Sequence, residues 1–430
     1  MTTLTASITE SPTVPRTPKS LKVAFVMSRF PKITETFVIR EMVEMERQGV
    51  EVEVYPLQRE RTSVMHPEVD SFVRRAHFTP WLSIAMLKAH GRYFLNQPRN
   101  YLQTLGTLLS ANLGSIRYFA GAVAFFPKAV YIASLMRSAG VDHVHAHFAS
   151  HPAAVAYVIH RLTGIPFSFV AHGSDLHCDQ HMLSEKTQQA AAVIAISDDN
   201  RRMILDVCGT HNDLKVHTVH CGVDLEEFCP RSEPTPFERG VGAFQLLCIG
   251  TLHEVKGQRY LLEACRSLLE RGVDFECHFA GDGPDLQALE KQAHALGLND
   301  RVYFHGRCAG PRIRELLEIA DVLVTPSVPT RSGRREGIPV VLIEAMASGV
   351  PVVSSDLSGI PELVKHEQTG LLAQPGDAAG IAASLHRLHN DRQLRLRLAV
   401  AGRQEVESEF NQRINVRKSL DILSAARGGK

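Results

Sequence analysis

Two carboxylates eight positions apart, Glu336 and Glu344, flank Gly337-Ile338-Pro339 in the stretch EGIPVVLIEAM. Proline has its φ already set and no amide hydrogen, so Pro339 suits the first residue of a helix. Gly337 lets the backbone come close to a ligand. The free N–H groups of a first helical turn, helped by the helix dipole, favour an anion. At about 1.5 Å per residue, Glu344 lies roughly 7.5 Å along the axis from Pro339. A phosphorylated ligand at the helix mouth would reach Glu344 with a sugar ring and Glu336 with its other end. One glutamate alone would read as a solvated helix face; the pair, with Gly-Ile-Pro between, reads as a ligand site.

Other residues could share that chemistry. Lys256 follows the apolar run QLLCIG (Gln245–Gly250) and precedes Gly257, a strand-end position suited to phosphate. His172 follows the run FSFVA and precedes Gly173, again at a strand's C-terminal end, where ligands of open α/β sheets bind. His143, His145 and His147 recur at two-residue intervals and so point to one side of a strand. That raises the question of a metal. No carboxylate or further histidine shares their face in the local sequence, so none is expected, and His147 is read as a cleft residue.

Several segments then agree on one family. Glu336 and Glu344 match an E-x7-E signature. Phe279-Ala280-Gly281-Asp282-Gly283-Pro284 is similar to a GDGP turn, Val219 to Phe228 to an NGVD…F strand end, and Ser358 to Val364 to a GIPELV segment. Together they resemble the family-four glycosyltransferases, retaining enzymes of GT-B fold. The resemblance runs from about Leu21 to Phe410 and is strongest in the C-terminal half. The stretch SRFPKITETF (Ser28–Phe37) resembles a subgroup that builds bacterial exopolysaccharides such as colanic acid.

The resemblance implies an α/β protein with two Rossmann-like parallel-sheet domains facing a central cleft. It implies transfer of a sugar from a UDP-, GDP- or ADP-sugar to a hydroxyl of a lipid-linked glycan, with no cofactor and no metal. By the same route His172 and Glu336 are the catalytic candidates. The donor-binding candidates are Thr251, Lys256, Arg307, Glu336, Gly337, Ile338, Pro339 and Glu344. Acceptor-side candidates are Arg29, Phe30, Thr34, Glu35 and Asp175. Two departures stand out. The Gly-Gly pair of many relatives is missing from the loop after the first strand, and Thr251 occupies the place of a phosphate-binding arginine. Arg331, Arg334 and Arg335 are available to replace that charge.

These residues need elements to position them. The chain of 430 residues is too long for one core and predicts two domains. Apolar runs at Leu21–Ser28, Phe167–Ala171, Val193–Ser197, Gln245–Gly250, Phe275–Ala280, Val302–His305 and Val322–Pro326, with the alternating Glu51–Pro56, interleave with helical patterns, which predicts parallel sheets. The boundaries read as a tail at 1–20, an N-terminal domain at 21–230, a Pro- and Gly-bearing linker at 231–243, a nucleotide-sugar domain at 244–408 and a helix at 409–430 crossing back. Met1 to Ser20, rich in Thr, Ser and Pro without an apolar h-region, is expected to be disordered and not a signal peptide.

Composition narrows the setting. A net charge of +1 argues against a general nucleic-acid binder, and 44% hydrophobic with 22% charged residues is ordinary for a soluble globular protein. The eight cysteines, all at or after Cys178 and none in a C-x-x-C pair, suit a reducing cytoplasm. Residues 71–141 contain no Asp or Glu but eight basic residues, from Arg74 to Arg137, together with Trp81 and six phenylalanines. Such helices either lie on an anionic membrane surface or pack on the sheet with cationic faces outward. The apolar run Phe119–Phe126 is expected to stop at Pro127, short of the ~20 residues a span needs. Two functions of other classes fit the pattern less well: a GT-B nucleotide-sugar epimerase and a non-catalytic glycan-binding subunit. A phosphorylase-like enzyme would need a lysine holding pyridoxal phosphate.

Overall fold

A computed structural model describes residues 20–32, 35–60, 69–177 and 179–428. Residues 1–19, read above as a tail, and Thr34 lie outside it.

The apolar runs form two six-stranded sheets, parallel throughout. The first contains β1 (Lys22–Phe30), β2 (Glu51–Arg59), β3 (His143–His147), β4 (Phe167–Ala171), β5 (Ala192–Ala195) and β6 (Val216–Thr218), in the order β2-β1-β3-β4-β5-β6. The second contains β7 (Phe244–Ile249), β8 (Phe275–Ala280), β9 (Val302–Phe304), β10 (Val322–Thr325), β11 (Val352–Ser355) and β12 (Leu371–Ala373), in the order β12-β11-β10-β7-β8-β9. Helices cover both faces, so the inner strands are buried on both sides; most are apolar on successive residues, and β3 is the exception, with buried histidines at alternate positions. The strand order reverses between β1 and β3 in one sheet and between β7 and β10 in the other. Ligands of such sheets bind beyond the carboxyl ends of strands at those points. The loops after β1, β3, β7 and β10 are therefore the ones that matter.

β1 and β2 run further than their apolar cores suggest, because the ladder continues through Arg29 opposite Gln58 and Phe30 opposite Arg59. Pro56 is tolerated because β2 is an edge strand, where a missing donor faces no partner.

The helix Ile116–Ala139 corrects one expectation. It passes through Pro127 instead of stopping there and reaches 24 residues, long and apolar enough by composition to cross a membrane. Its second half is core: Ala129, Val130, Ile132, Ala133 and Met136 are buried against the first sheet. Lys128 turns inward as well. Its Nζ donates to the Leu57 carbonyl at 2.7 Å and lies 4.1 Å from the Trp81 ring centre.

The last helix, Gln412–Gly428, leaves the second domain and returns to the first. Val416, Leu420 and Leu423 join the core of Val23, Phe25, Met42 and Val54. At the crossing, a side chain on Gly222 would sit 2.4 Å from the Gln412 backbone, so only glycine allows the two segments to touch.

Candidate active site

The loop after β7 begins at Gly250, whose φ of +146° few other residues adopt. The turn after β8 stacks on it, since a Cβ on Gly281 would fall 1.9 Å from the Gly250 carbonyl oxygen. The chain next makes a short 3-10 turn, Glu254–Lys256, and closes at Gly257 with φ +66°. A Cβ at Gly257 would meet the Pro326 carbonyl at 1.9 Å, so this glycine seats the Lys256 turn against the end of β10. The lysine stem then runs back over Gly250, and Nζ donates to Glu336 Oε2 at 2.8 Å. Both side chains keep some solvent contact, 22% for Lys256 and 17% for Glu336. Lys256 and Glu336 thus stand together at the mouth of the cleft.

The loop after β10 delivers Glu336 to the start of the helix Val340–Ala347. Pro339 is the N-cap residue, one place before the expected first helical position, with φ −61° and ψ 124°. Ile338 is buried. Gly337 lies directly under the first domain: a Cβ on Gly173 would come within 3.0 Å of the Gly337 amide nitrogen. Arg331, Arg334 and Arg335 are exposed on the same loop, and Gly333 sits beside the His177 carbonyl of the first domain.

Glu344 is 7% exposed, and its Oε1 accepts from Arg40 Nη1 at 2.8 Å. Burial raises its pKa, against the pull of the Arg40 charge. In the fold this donor-binding candidate holds a cation from the other domain. Glu362 makes a second bridge, accepting from the amides of Asp198 and Asp199 at 2.8 and 2.9 Å, at the start of the helix Asp198–Cys208. A backbone amide pair at a helix N-terminus suits a carboxylate.

From the first sheet, His172 enters at the end of β4, buried, with ring centres of Phe148 and Phe37 at 4.6 and 4.8 Å. Burial lowers its pKa to about 3, helped by His147, so the ring is neutral at ordinary pH. Asp175 is buried too and is occupied structurally: it accepts from the His172 amide at 2.9 Å and from the Ala149 amide. Burial raises its pKa to about 7. Glu35 pairs with Lys32 at 2.5 Å, Phe30 is core, and Arg29 is exposed at the end of β1, donating to Gln58 at 3.2 Å. Thr251 is exposed, its carbonyl accepting from Gln258 at 3.0 Å, and Arg307 is 63% exposed with Asp282 at 4.0 Å. The fold therefore brings Lys256, Glu336, Gly337 and the His172-Gly173 loop together, while Arg29 and Arg307 remain at its rim.

Similarity to known proteins decides the family. The model for glycosyl transferases group 1 matches residues 235–405, and that for glycosyltransferase family 4 matches residues 110–227. WcaL of Escherichia coli, a glycosyltransferase named for colanic acid biosynthesis, is 30% identical over 94% of this chain and 100% of its own. This chain is a family-four glycosyltransferase. AmsK of Erwinia amylovora, named for amylovoran biosynthesis, is also 30% identical, over 94% of this chain and 99% of its own. The glycosyltransferase is thus related to enzymes of exopolysaccharide synthesis. Its fold is GT-B, as in the sucrose-phosphate synthase of Thermosynechococcus elongatus (TM-score 0.71, 16% identity, 95% of this chain and 100% of that one). Anabaena HepE in complex with UDP-glucose is similar in fold (TM-score 0.70, 18% identity, 94% and 100%).

Sequence reading missed Arg40 and Glu41, neighbours on the helix Thr36–Arg47. Their one signal is two adjacent charges enclosed by the buried positions Val38, Ile39, Met42 and Met45.

Proposed function

We propose that this glycosyltransferase moves a sugar from a nucleoside-diphosphate sugar to a hydroxyl of a lipid-linked glycan at the cytoplasmic face of the membrane, keeping the anomeric configuration. The observation that carries this is Lys256 at 2.8 Å from Glu336, beside the first turn of the helix Val340–Ala347 and under the His172-Gly173 loop. UDP-glucose held by a protein of the same fold supports a donor of this class.

In this reading the bond from the anomeric carbon to phosphate breaks, and its electron pair leaves on the phosphate oxygen. Lys256 and the helix amides stabilise that oxygen, an electrostatic effect worth about 2.7–4 kcal/mol for a single donor group in other enzymes. Arg331, Arg334 and Arg335 supply the charge that Thr251 lacks, so the diphosphate is neutralised by side chains. Glu336 exchanges its hold on Lys256 for the donor's sugar hydroxyls. The acceptor oxygen attacks from the side the leaving group vacates and gives its proton to the departing phosphate. His172, held neutral, positions the sugar instead of supplying charge.

The exposed surface of the first domain supports a lipid-borne acceptor. Trp81, Leu82, Ile84, Leu87, Leu95 and Ile116 are exposed on or beside the helices Ile84–Asn96 and Ile116–Ala139, amid the exposed cations Lys88, Arg92 and Arg117. Apolar and basic residues together suit an anionic membrane interface. Proton NMR of the disaccharide linkage tests the stereochemistry: the donor's anomeric configuration in the product supports the proposal, and its inversion refutes it.

A further inference from the structure

Behind His172 lies a group that the transfer reaction does not use. His145 and His147 project from β3 to one side, and Glu41 comes to meet them from the helix Thr36–Arg47. The third ligand that the local sequence lacked is supplied from a hundred residues upstream. Glu41 Oε1 is 3.3 Å from His145 Nε2, and Glu41 Oε2 is 3.3 Å from His147 Nε2. The three ligand atoms lie within 4.8 Å of one another, the one such trio of His, Cys, Asp or Glu among the described residues.

We propose that Glu41, His145 and His147 bind a divalent transition cation of the zinc class. Three observations converge. First, both imidazole side chains are fully buried, yet His145 Nε2, both ring nitrogens of His147 and Glu41 Oε1 make no hydrogen bond. Burying a polar atom without a hydrogen bond is costly, so three such atoms converging on one point call for an occupant. Second, the spacing fits. Metal–ligand bonds of about 2.0–2.1 Å in a tetrahedron place ligand atoms about 3.3 Å apart, the distance from each imidazole to one oxygen of Glu41, and a trio within 4.8 Å needs only a small contraction to close on an ion. Third, the outer partner is in place: His145 Nδ1 is 2.7 Å from Ser168 Oγ, which is also 2.8 Å from His143 Nε2. Where His145 Nδ1 donates to that hydroxyl, its Nε2 is left free to ligate.

Two imidazoles and one carboxylate favour zinc or a similar ion over magnesium or calcium, which take oxygen ligands. The fourth position opens on a cavity of about 40 Å³ bordered by Phe37, His147 and His172, large enough for a water ligand. The ion would tie the helix carrying Phe37 to β3, and the His147 ring stacks on His172 with centres 5.8 Å apart. Its role is to fix the wall against which the donor sugar rests, separate from the neutralisation of the diphosphate.

The test is cobalt titration of chelator-stripped, full-length protein, read by the visible bands of four-coordinate Co²⁺. One equivalent bound, displaced by Zn²⁺, with affinity more than about 100-fold weaker in Glu41→Gln and His147→Gln but retained in His143→Gln, is the expected result. X-ray absorption of the zinc-loaded wild-type protein covers the case in which a variant fails to fold, and should show nitrogen and oxygen ligands including imidazole. Absence of stoichiometric uptake by the wild-type protein, undiminished binding in both variants, or sulfur ligation to the metal would overturn the proposal.

Discussion

Arg40 and Glu344, 304 positions apart in the chain, form a buried ion pair of 2.8 Å across the two domains. Arg40 comes from the first helix of the first domain, and Glu344 from the helix whose N-terminus faces the cleft. The same guanidinium lies 3.6 Å from Glu227 and 5.1 Å from the Phe228 ring centre. The second signature carboxylate therefore joins the two domains.

The two ends of that pair are not equivalent. Arg40→Ala leaves Glu344 buried without a cation, a loss of about 3–5 kcal/mol by analogy with broken buried pairs. Glu344→Ala leaves Arg40 with Glu227 and Phe228, so the loss is smaller. Urea unfolding of both variants checks the order, and equal losses would show that the pair does not set the coupling.

Lys256→Ala should lower kcat about 10²–10³-fold, because it removes a cation from the leaving oxygen. Steady-state kinetics with a saturating donor checks this. A rise in KM alone would mean that Lys256 holds the ground state and the transition state equally.

Gly257→Ala tests the positioning of Lys256 without touching its charge. The new Cβ meets the Pro326 carbonyl and forces a φ of +66° on alanine, a backbone strain of about 1–3 kcal/mol before the clash is counted. Both thermal stability and kcat should fall, and normal activity in this variant would detach the loop geometry from catalysis.

The fold was largely legible because buried parallel strands announce themselves as apolar runs. The glycine-rich turns mark where backbones touch, as Gly281 on Gly250 shows. Lys256 and Glu336 were legible for the same reason, each following a strand end. The Arg40–Glu344 pair and the meeting of Glu41 with His145 and His147 were not. They depend on how one helix docks, and side chains 304 or 104 positions apart leave no periodic trace. Pro127 misled for a local reason: proline stops a helix by propensity, but packing of Ala129 to Met136 on the sheet outweighs it.

Acid should destabilise the first domain through His151. Burial, with the nearby Lys186 and Arg117 charges, lowers its pKa from 6.5 to about 4. The folded state therefore holds the neutral ring where the unfolded chain takes a proton. Its contribution is complete above pH 6.5 and is lost as pH falls from about 6.5 to 4. The ring packs so closely on Gly121 that a Cβ there would fall 2.1 Å from it. His151→Gln should flatten the fall of melting temperature across that window; an unchanged slope would assign the acid sensitivity elsewhere.

Membrane docking has its own test. Ile84→Glu with Leu87→Glu replaces two exposed apolar side chains beside Lys88 and Arg92. Co-sedimentation with vesicles containing anionic lipid should be lost in the double variant while the protein stays folded. Equal sedimentation of both proteins, or no preference for anionic lipid, would remove the membrane from the account.

The central claim is that a nucleoside-diphosphate sugar is gripped at Lys256 and the mouth of the helix Val340–Ala347. Calorimetric titration of the wild-type protein and Lys256→Ala with UDP-, GDP- and ADP-sugars measures it directly. Saturable one-site binding of at least one of these by the wild-type protein is expected, weakened at least tenfold, about 1.4 kcal/mol, by the substitution. A folded wild-type protein that binds none of them, or a variant that binds as tightly, would contradict it.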